Sequence, residues 1–421
     1  MITLLTGHAR RLSFGLLTAF ASSVGQTFFI ALSVPYLLRD LALGEGRFGL
    51  VYAGATLASG LSLPLLGRLY DRVPLALYTT TTLAVLALAA TLLAAATHVA
   101  VLAVALIGLR LAGQGLLGHI SQSTMARDFD AHRGKALGVA GLGYPLGEAL
   151  LPGLFVLAVA WVGWREAWLV VACVLGLAIA PLAWWLAGRS GNTHTMGAPA
   201  SPRVRQLSFT DLIADPLFRR VLPVVLVTPL LLTALFLYQA LLGQSRGWSA
   251  AWLATAFTGY AVLRAVTSLA VGPIIDRYTA KVLVPLHLLP MLAALIALSA
   301  SDSPWVAPVY LGLLAITAGA SGSVLSALWA EAYGPAQVAA VRSVTAGLTI
   351  VSTAVSPALL GLLLERGVGF QAIQLGGLGL CALAVWSGWS TLRRSSASAQ
   401  VHTAVIIPSI SSTHPLQRNV P

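Results

Sequence analysis

The sequence carries little charge for its length. Of its 421 residues, 13 are acidic and 25 are basic, so charged side chains make up only 9%. A soluble globular domain usually carries about a quarter charged residues, which cover its water-facing surface. Because this chain lacks the residues for such a surface, most of it is expected to face lipid.

Cysteine is also scarce. Cys173 and Cys381 are the two cysteines, and each lies inside an apolar segment without C-x-x-C or Cys/His spacing. Both are interpreted as packing residues. The sequence therefore predicts no metal site, no redox centre and no cofactor.

Motifs for reactive chemistry are missing as well. The chain has no Walker loop, no G-x-S-x-G elbow, no H-E-x-x-H motif and no pair of carboxylates within one apolar run. These absences argue against an enzyme and a nucleotide-driven pump. The formal charge of +12 comes from basic residues scattered through short loops rather than clustered with aromatics, so nucleic acid is not an expected partner.

Long apolar runs are what the sequence does contain. About 20 apolar residues cross the roughly 30 Å hydrocarbon core of a bilayer as a helix. Runs of this kind lie at residues 12–38, 48–66, 75–96, 99–123, 134–160, 163–187, 219–242, 250–271, 282–300, 304–330, 339–364 and 368–391. They are too long and alternate too poorly for barrel strands, so the predicted fold class is an all-α integral membrane bundle of twelve transmembrane helices.

The beginning of the chain resembles a signal peptide, because Arg10 and Arg11 precede an apolar run. That run continues past Gln26 to Leu38 and is followed by many further spans, so it is interpreted as a retained first helix. Only Lys135 and Lys281 are lysines among the 25 basic residues. This arginine bias, together with the richness in alanine and leucine, suits a GC-rich bacterial genome.

The basic residues predict an orientation in the membrane. With twelve spans both termini share a side, and 18 basic residues fall on that side. The loops of the other side hold five, which are Arg39, Arg47, Arg165, Arg246 and Arg366. By the positive-inside rule both termini are predicted to be cytoplasmic, in a cell (inner or plasma) membrane.

Breaks between the runs divide the chain. The longest break, residues 188–218, is predicted to be a cytoplasmic linker between two six-helix halves, residues 1–187 and 219–392. The end of the chain, residues 393–421, is rich in serine, threonine and proline and has no sustained apolar run, so it is predicted to be a disordered cytoplasmic tail.

A short motif occurs once in each half. Residues 67–72 read G-R-L-Y-D-R after the second run, and residues 272–277 read G-P-I-I-D-R after the eighth. Repeats in the same orientation arise when two halves are related by an axis along the membrane normal. The sequence therefore predicts two pseudo-symmetric halves.

This motif resembles the loop between the second and third helices of the major facilitator superfamily, G-x-x-x-D-R-x-G-R-R. The matching residues are Gly67, Asp71 and Arg72 in the first copy and Gly272, Asp276, Arg277 and Lys281 in the second. The family's later positions are replaced by Pro74, Leu75 and Ala76 in the first copy and by Thr279 in the second. The resemblance implies cytoplasmic gating loops at both sites.

Two further patterns extend the resemblance over residues 10–392. Arg110, Gln114 and Gly115 follow the R-x-x-x-Q-G pattern of the family's fourth helix. The glycine-rich fifth run, which begins R-G-K-A-L-G, is similar to that of monocarboxylate and oxalate/formate porters. The resemblance implies a monomeric secondary transporter whose halves rock around a midplane site.

Each motif aspartate is expected to act as a latch between the halves. A carboxylate placed against the N-terminus of a helix accepts its unpaired N–H groups and interacts favourably with the helix dipole. By pseudo-symmetry, Asp71 is predicted to face the start of the eleventh span near Arg342, and Asp276 the start of the fifth near Gly134. The alternative is that both are solvated loop residues.

Charges inside apolar runs are expensive in a membrane and usually mark a pathway. Arg110 and Glu148 have similar predicted depths, so an ion pair between them is expected, with or without a role for Glu148 as the group that exchanges a proton. Arg264 has no acidic residue nearby in sequence and is predicted to present an unpaired cation to an anionic substrate. The alternative for Arg264 is a hydrogen bond to helix ends or loop carbonyls.

Polar residues on the first and seventh spans complete the candidate site. Gln26, Tyr36, Tyr238 and Gln239 are predicted either to orient a substrate or to bond helix to helix. The predicted function is secondary transport of a small solute, first an organic anion of monocarboxylate type, coupled to protons as partner ions. A proton-coupled drug exporter is the alternative, followed by a sensor or enzyme on the same scaffold.

Overall fold

The computed structural model describes residues 8–129, 132–188, 209–334 and 337–405. All regular structure in these ranges is helical. The N-terminal half contains α1 in two segments (Ala9–Gly25 and Thr27–Asp40), α2 (Glu45–Asp71), α3 (Leu75–Ala94), α4 (Val99–Asp128), α5 (Arg133–Val162) and α6 (Trp164–Ala187).

The C-terminal half repeats the same arrangement. It contains α7 (Pro216–Leu237), α8 (Ala250–Tyr278), α9 (Ala280–Ala300), α10 (Val306–Tyr333), α11 (Val338–Glu365) and α12 (Phe370–Val405). A short helix, Phe209–Ala214, precedes α7, and another, Gln239–Ser245, follows it. Within the described residues, eleven helices are long and apolar enough to cross a membrane, and the bent α1 counts as a twelfth span, which confirms the predicted fold class.

Successive spans run in opposite directions, so the bundle has two distinct ends. The motif end carries both repeats of the loop motif, at the α2–α3 and α8–α9 turns. The opposite end carries the α1–α2, α7–α8 and α11–α12 turns.

The last helix is longer than the sequence predicts. It continues to Val405 and so includes the first part of the segment 393–421, which was expected to be disordered. No glycine or proline occurs between Gly388 and Pro408 to stop the helix. Residues 406–421 and most of the predicted linker lie outside the described residues.

Glycine lets α1 lie directly against α4 and α5. A Cβ on Gly25 would lie 2.0 Å from the carbonyl oxygen of Leu109, and one on Gly113 would lie 2.6 Å from the Cα of Gly25. On the other side, a Cβ on Gly143 would lie 2.4 Å from the carbonyl oxygen of Leu16. Small residues thus hold the N-terminal half together by close backbone contact, as is common where lipid removes the hydrophobic driving force.

The α1 and α4 helices are irregular where they meet. The helix of α1 breaks at Gln26, whose backbone is extended, and its two segments are bent by 46°. Residues Leu109–Leu117 of α4 form a π-helix, a conformation that often marks functional sites. Arg110 and Gln114 both lie in this π-helical segment.

The two halves touch at the opposite end, where α2 packs along α11. A Cβ on Gly49 would lie 2.3 Å from the carbonyl oxygen of Pro357, and one on Gly361 would lie 2.3 Å from that of Glu45. The hydroxyl of Tyr238 donates toward the same two carbonyl oxygens, at 3.0 Å from Glu45 and 3.1 Å from Pro357. This end is therefore closed by backbone contact.

At the motif end the halves are separated. A cavity between them extends from mid-depth to Ser326, Trp329 and Arg342, which lie near the ends of α10 and α11. The bundle is therefore closed at the opposite end and open at the motif end.

Gly49→Leu is expected to shift the protein away from this conformation, because a side chain there forces the backbones of α2 and α11 apart. With cysteine introduced at Ser326 in a chain lacking Cys173 and Cys381, maleimide labelling from the motif end should become several-fold slower. Gly54→Leu on the same helix is the matched control, since its Cβ meets nothing within 4 Å. Equal labelling of both variants would contradict the expectation.

Candidate functional site

The central cavity has a volume of about 610 Å³ and is enclosed by both halves. Helices α1, α4 and α5 contribute one wall, and α7, α8, α10 and α11 contribute the other. Its polar lining residues are Gln26, Thr27, Gln114, Glu148, Thr228, Thr233, Tyr260, Arg264, Ser321, Ser326, Arg342, Thr345, Thr349 and Thr353. A volume of this size suits one small solute.

A salt bridge between the halves lies in this cavity. The guanidinium of Arg264 on α8 donates from Nη1 to Oε1 of Glu148 on α5. The Arg264 side chain is 33% exposed to the cavity, whereas that of Glu148 is 9% exposed. Oε2 of Glu148 has no hydrogen-bond partner among the described residues. The pair is thus accessible from the cavity through its arginine.

This geometry corrects two predictions. The expected ion pair between Arg110 and Glu148 is wrong, because Glu148 binds Arg264 instead. The prediction that Arg264 is an unpaired cation is wrong for the same reason. Close packing of α5 against α8, with the Thr258 hydroxyl donating to the carbonyl oxygen of Ala149 at 2.8 Å, brings the two charges together.

Arg110 lies in a separate buried cluster. Its Nη1 donates to Oγ1 of Thr27 at 3.0 Å, and its guanidinium lies 5.2 Å from the ring centroid of Tyr52. The Tyr52 hydroxyl donates to the same Thr27 oxygen at 2.9 Å. Across the described ranges Arg110 forms no salt bridge, and its Nε has no hydrogen-bond partner. The arginine is held by cation–π and neutral hydrogen-bond contacts.

The Arg110 cluster borders the cavity. Thr27 and Gln26 line it from α1, and Gln114 lines it from α4, one turn after Arg110. The wall of the N-terminal half therefore carries amides and a hydroxyl, with the Arg110 guanidinium behind it, and the wall of the C-terminal half carries hydroxyls. These groups can both donate and accept hydrogen bonds.

Aromatic rings separate the central cavity from the opposite end. Phe28 of α1 stacks on Phe257 of α8 with centroids 5.2 Å apart, and Phe236 lies 5.1 Å from Phe257 and 5.2 Å from Tyr260. Phe28 and Phe236 also line a second cavity of about 300 Å³ on the far side. The barrier between the two cavities is therefore about one aromatic layer.

Three predicted site residues lie away from the central cavity. Gln239 and Tyr36 line the smaller cavity beyond the aromatic barrier. Tyr238 instead bonds α2 to α11 at the closed end, as described above. Of the two interpretations of Tyr238, its contacts agree with hydrogen bonding between helices.

The structure does not bring the predicted latch residues together. Asp71 and Asp276 are exposed, and within the described part of the chain neither forms a hydrogen bond or salt bridge. A Cβ on Gly134 would meet nothing within 4 Å, so the start of α5 is not covered. The expected contacts of Asp71 with the start of α11 and of Asp276 with the start of α5 are absent here because the halves are apart at this end.

The remaining motif residues lie at the same open end. Gly67 ends the regular α-helix of α2 and Arg72 follows the Arg68–Asp71 turn, while Gly272 and Arg277 lie in the last turns of α8. Lys281 lies in the first turn of α9, where the Ala280 backbone N–H donates to Oε1 of Glu331 at 2.7 Å. The second loop is thus anchored to α10 by a residue that the motif does not contain.

The helix ends of the structure put Glu148 and Arg264 at matching depths. Glu148 lies fifteen residues after Arg133, the start of α5, and Arg264 lies fourteen residues before Tyr278, the end of α8. At about 1.5 Å per residue, they are about 22.5 Å and about 21 Å from the motif end. The apolar run 250–271 ends seven residues after Arg264, so no signal of this match was present in the sequence. Thr27, Tyr52 and Tyr260 carried no such signal, since isolated hydroxyls on apolar helices are common.

Comparison with known proteins agrees with this arrangement. The family model described as Major Facilitator Superfamily matches residues 15–258, more than half of the chain. A search of curated proteins found no match. The chain belongs to the major facilitator superfamily, and it is a multi-pass membrane transporter rather than an enzyme.

Solved structures share the fold at low sequence identity. The nucleoside transporter NupG superposes with a TM-score of 0.66 at 12% identity, covering 91% of this chain and 99% of that one. A bacterial homologue of the human lysosomal transporter Spinster, described as inward-facing and unoccupied, superposes with a TM-score of 0.65 at 14% identity, covering 90% and 94%. At these identities the likeness extends to the fold alone.

Thr27→Val is expected to destabilise the protein by about 1–3 kcal/mol, because it removes the acceptor shared by Arg110 and Tyr52 in a buried site. Thr27→Ser keeps the oxygen and is the matched control. Thermal unfolding of the purified variants in detergent should show a lower midpoint for valine and a near-parental one for serine. Equal midpoints for both would show that the shared hydrogen bonds contribute nothing.

Proposed function

We propose that this transporter moves a small organic anion by alternating access and couples its movement to protons. The observation that carries the proposal is the Glu148–Arg264 bridge, because it places one titratable acid and one anion-binding group together, on different halves, at the central cavity. A buried ion pair between moving parts has two ways to be released, protonation of the acid and competition for the base.

The orientation of the cavity follows from the positive-inside rule. The motif end is the side richer in basic residues, so we assign it to the cytoplasm. In this conformation the cavity then opens inward, and the aromatic layer and the α2–α11 contact close the outer side.

Protonation of Glu148 allows a substrate carboxylate to replace it at Arg264. A proton from solvent neutralises the Glu148 carboxylate, which then releases the guanidinium. The carboxylate of a substrate takes its place and accepts hydrogen bonds from Arg264, with charge-assisted strength. One proton and one monovalent anion enter together, so the net charge of the site is unchanged.

Nearby charges favour an anion over a cation. Arg110 lies behind the wall of the cavity without a carboxylate partner in the described residues, and Arg342 lies at its mouth. Glu148 is the one acidic side chain among the described residues that line the central cavity. With the Glu148 charge removed, the site is positive.

Carboxylate binding is expected to depend on both members of the bridge. A small monocarboxylate should raise the thermal unfolding midpoint of the parent protein, and more strongly as the pH falls, because protonated Glu148 leaves Arg264 free. In Arg264→Ala affinity should fall about 10- to 100-fold, as expected for loss of a hydrogen bond between charged groups. Glu148→Gln should bind with little dependence on pH.

The double variant Glu148→Gln/Arg264→Ala controls for stability, because it removes both charges of the bridge and leaves neither partner unpaired. It should fold and still fail to bind the carboxylate. If only cationic or apolar compounds raised the unfolding midpoint, the protein would be assigned as a drug exporter instead. Unchanged pH dependence in Glu148→Gln would remove Glu148 as the coupling residue.

Asp71→Asn is expected to abolish uptake while the protein still reaches the membrane, because the neutral amide no longer latches onto the start of α11 when the motif end closes. Asp302→Asn is the control, since Asp302 is an exposed carboxylate at the opposite end, with 83% of its side chain accessible, and its salt bridge to Arg246 at 3.2 Å lies away from the motif end. Transport assays in vesicles with matched protein levels measure this. Normal uptake by Asp71→Asn would exclude the latch.

A further inference from the structure

A third cavity lies wholly within the C-terminal half, away from the transport path. It has a volume of about 420 Å³ and is lined by leucines of α7, α9, α11 and α12 in the half of the bundle nearer the opposite end. No residue of the N-terminal half lines it. It is thus separate from the central cavity in both position and chemistry.

The cavity opens sideways toward lipid. Helices α11 and α12 both pack along α7 but make little contact with each other, which leaves a cleft between them with α7 as its floor. Leu359 on α11 and Leu380 on α12 line the cleft and are 47% and 46% exposed. In a bilayer this opening faces hydrocarbon chains.

One buried amide in the cleft lacks a partner. Gln374 on α12 is 3% exposed, and its Oε1 accepts a hydrogen bond from Nη2 of Arg246 at 3.2 Å. Its Nε2 has no hydrogen-bond partner in the described chain. A buried donor of this kind is costly unless a ligand supplies an acceptor.

An unpaired cation lies at the mouth of the cleft. Arg366 is exposed in the turn between α11 and α12, and Val368 and Phe370 of that turn line the cavity. Within the described residues Arg366 forms no salt bridge or hydrogen bond through its side chain. Gln374 lies one helical turn, about 6 Å, into α12 from Phe370.

We propose that this cleft binds one diacyl phospholipid from the leaflet at the opposite end. The leucine-lined cavity holds an acyl chain, Nε2 of Gln374 donates to an ester carbonyl, and Arg366 pairs with the phosphate. From the bilayer interior to the water interface, the cleft presents the apolar cavity, the Gln374 donor and the Arg366 cation. A phospholipid presents its acyl chain, ester and phosphate in the same order.

An occupant of the cleft also touches the closed end of the transporter. Tyr238 lines the cavity and bonds to Glu45 and Pro357, and Leu360 lines it next to Gly361. A bound chain restrains α7 and α11 where they meet α2. Lipid binding should therefore stabilise the conformation described here.

Native mass spectrometry of the full-length, delipidated protein titrated with dioleoyl phosphatidylglycerol tests the site. The parent should retain one lipid after the others are stripped. Gly376→Leu should lose it, because its Cβ enters the lined cavity without meeting any atom within 4 Å. Gly379→Leu, equally open but outside the lining, should retain it. Ala372→Leu is a second filling variant, with folding checked by the unfolding midpoint.

The headgroup contact is tested separately. Arg366→Gln should weaken retention about fivefold, the typical effect of one basic residue at an anionic lipid. Dioleoylglycerol, with the same chains and no phosphate, should be retained less well than the phospholipid. Equal retention by the parent and both filling variants, or no retained lipid in the parent, would overturn the proposal. Equal retention of dioleoylglycerol would overturn the phosphate contact.

Discussion

A charge at mid-depth in a bilayer requires a partner. In this protein Glu148 and Arg264, which lie on opposite halves, pair with each other. The pair forms only when α5 and α8 are packed together, so it depends on the assembly of both halves. It lies in the central cavity, where both halves meet. Any change that neutralises Glu148, or offers Arg264 another carboxylate, therefore acts on a contact between the two halves.

Glycine contacts serve two different purposes in the same bundle. Gly25 and Gly113 join α1 to α4 within one half. Gly49 and Gly361 join α2 to α11 between the halves. Because lipid supplies no hydrophobic force between helices, such close packing is what holds either contact.

Arg110 shows that an intramembrane arginine needs neither an acid nor direct access to the cavity. Tyr52 offers the face of its ring, and Thr27 offers an oxygen, so the charge is accommodated by neutral groups. The result is a positive potential behind the wall of the central cavity.

The sequence alone determined the solvent of this protein, its twelve spans and its two-fold repeat. The solvent and the spans follow from comparing the length of each apolar run with the thickness of a bilayer. The repeat follows from the recurrence of G-x-x-x-D-R after matching spans. Gln26 and Gln114 could likewise be placed near a pathway, because polar residues on long apolar helices are few.

Only the tertiary structure decided which charges pair and which surfaces meet. Counted from the motif end, Glu148 and Arg264 lie about equally deep, but depth along a helix does not specify which neighbouring helix a side chain faces. Tyr238 was a plausible cavity residue until the position of α2 made it a link at the closed end. The physical reason is that hydropathy fixes position along the membrane normal, whereas partners within the membrane plane depend on helix rotation and packing, which act between residues far apart in the chain.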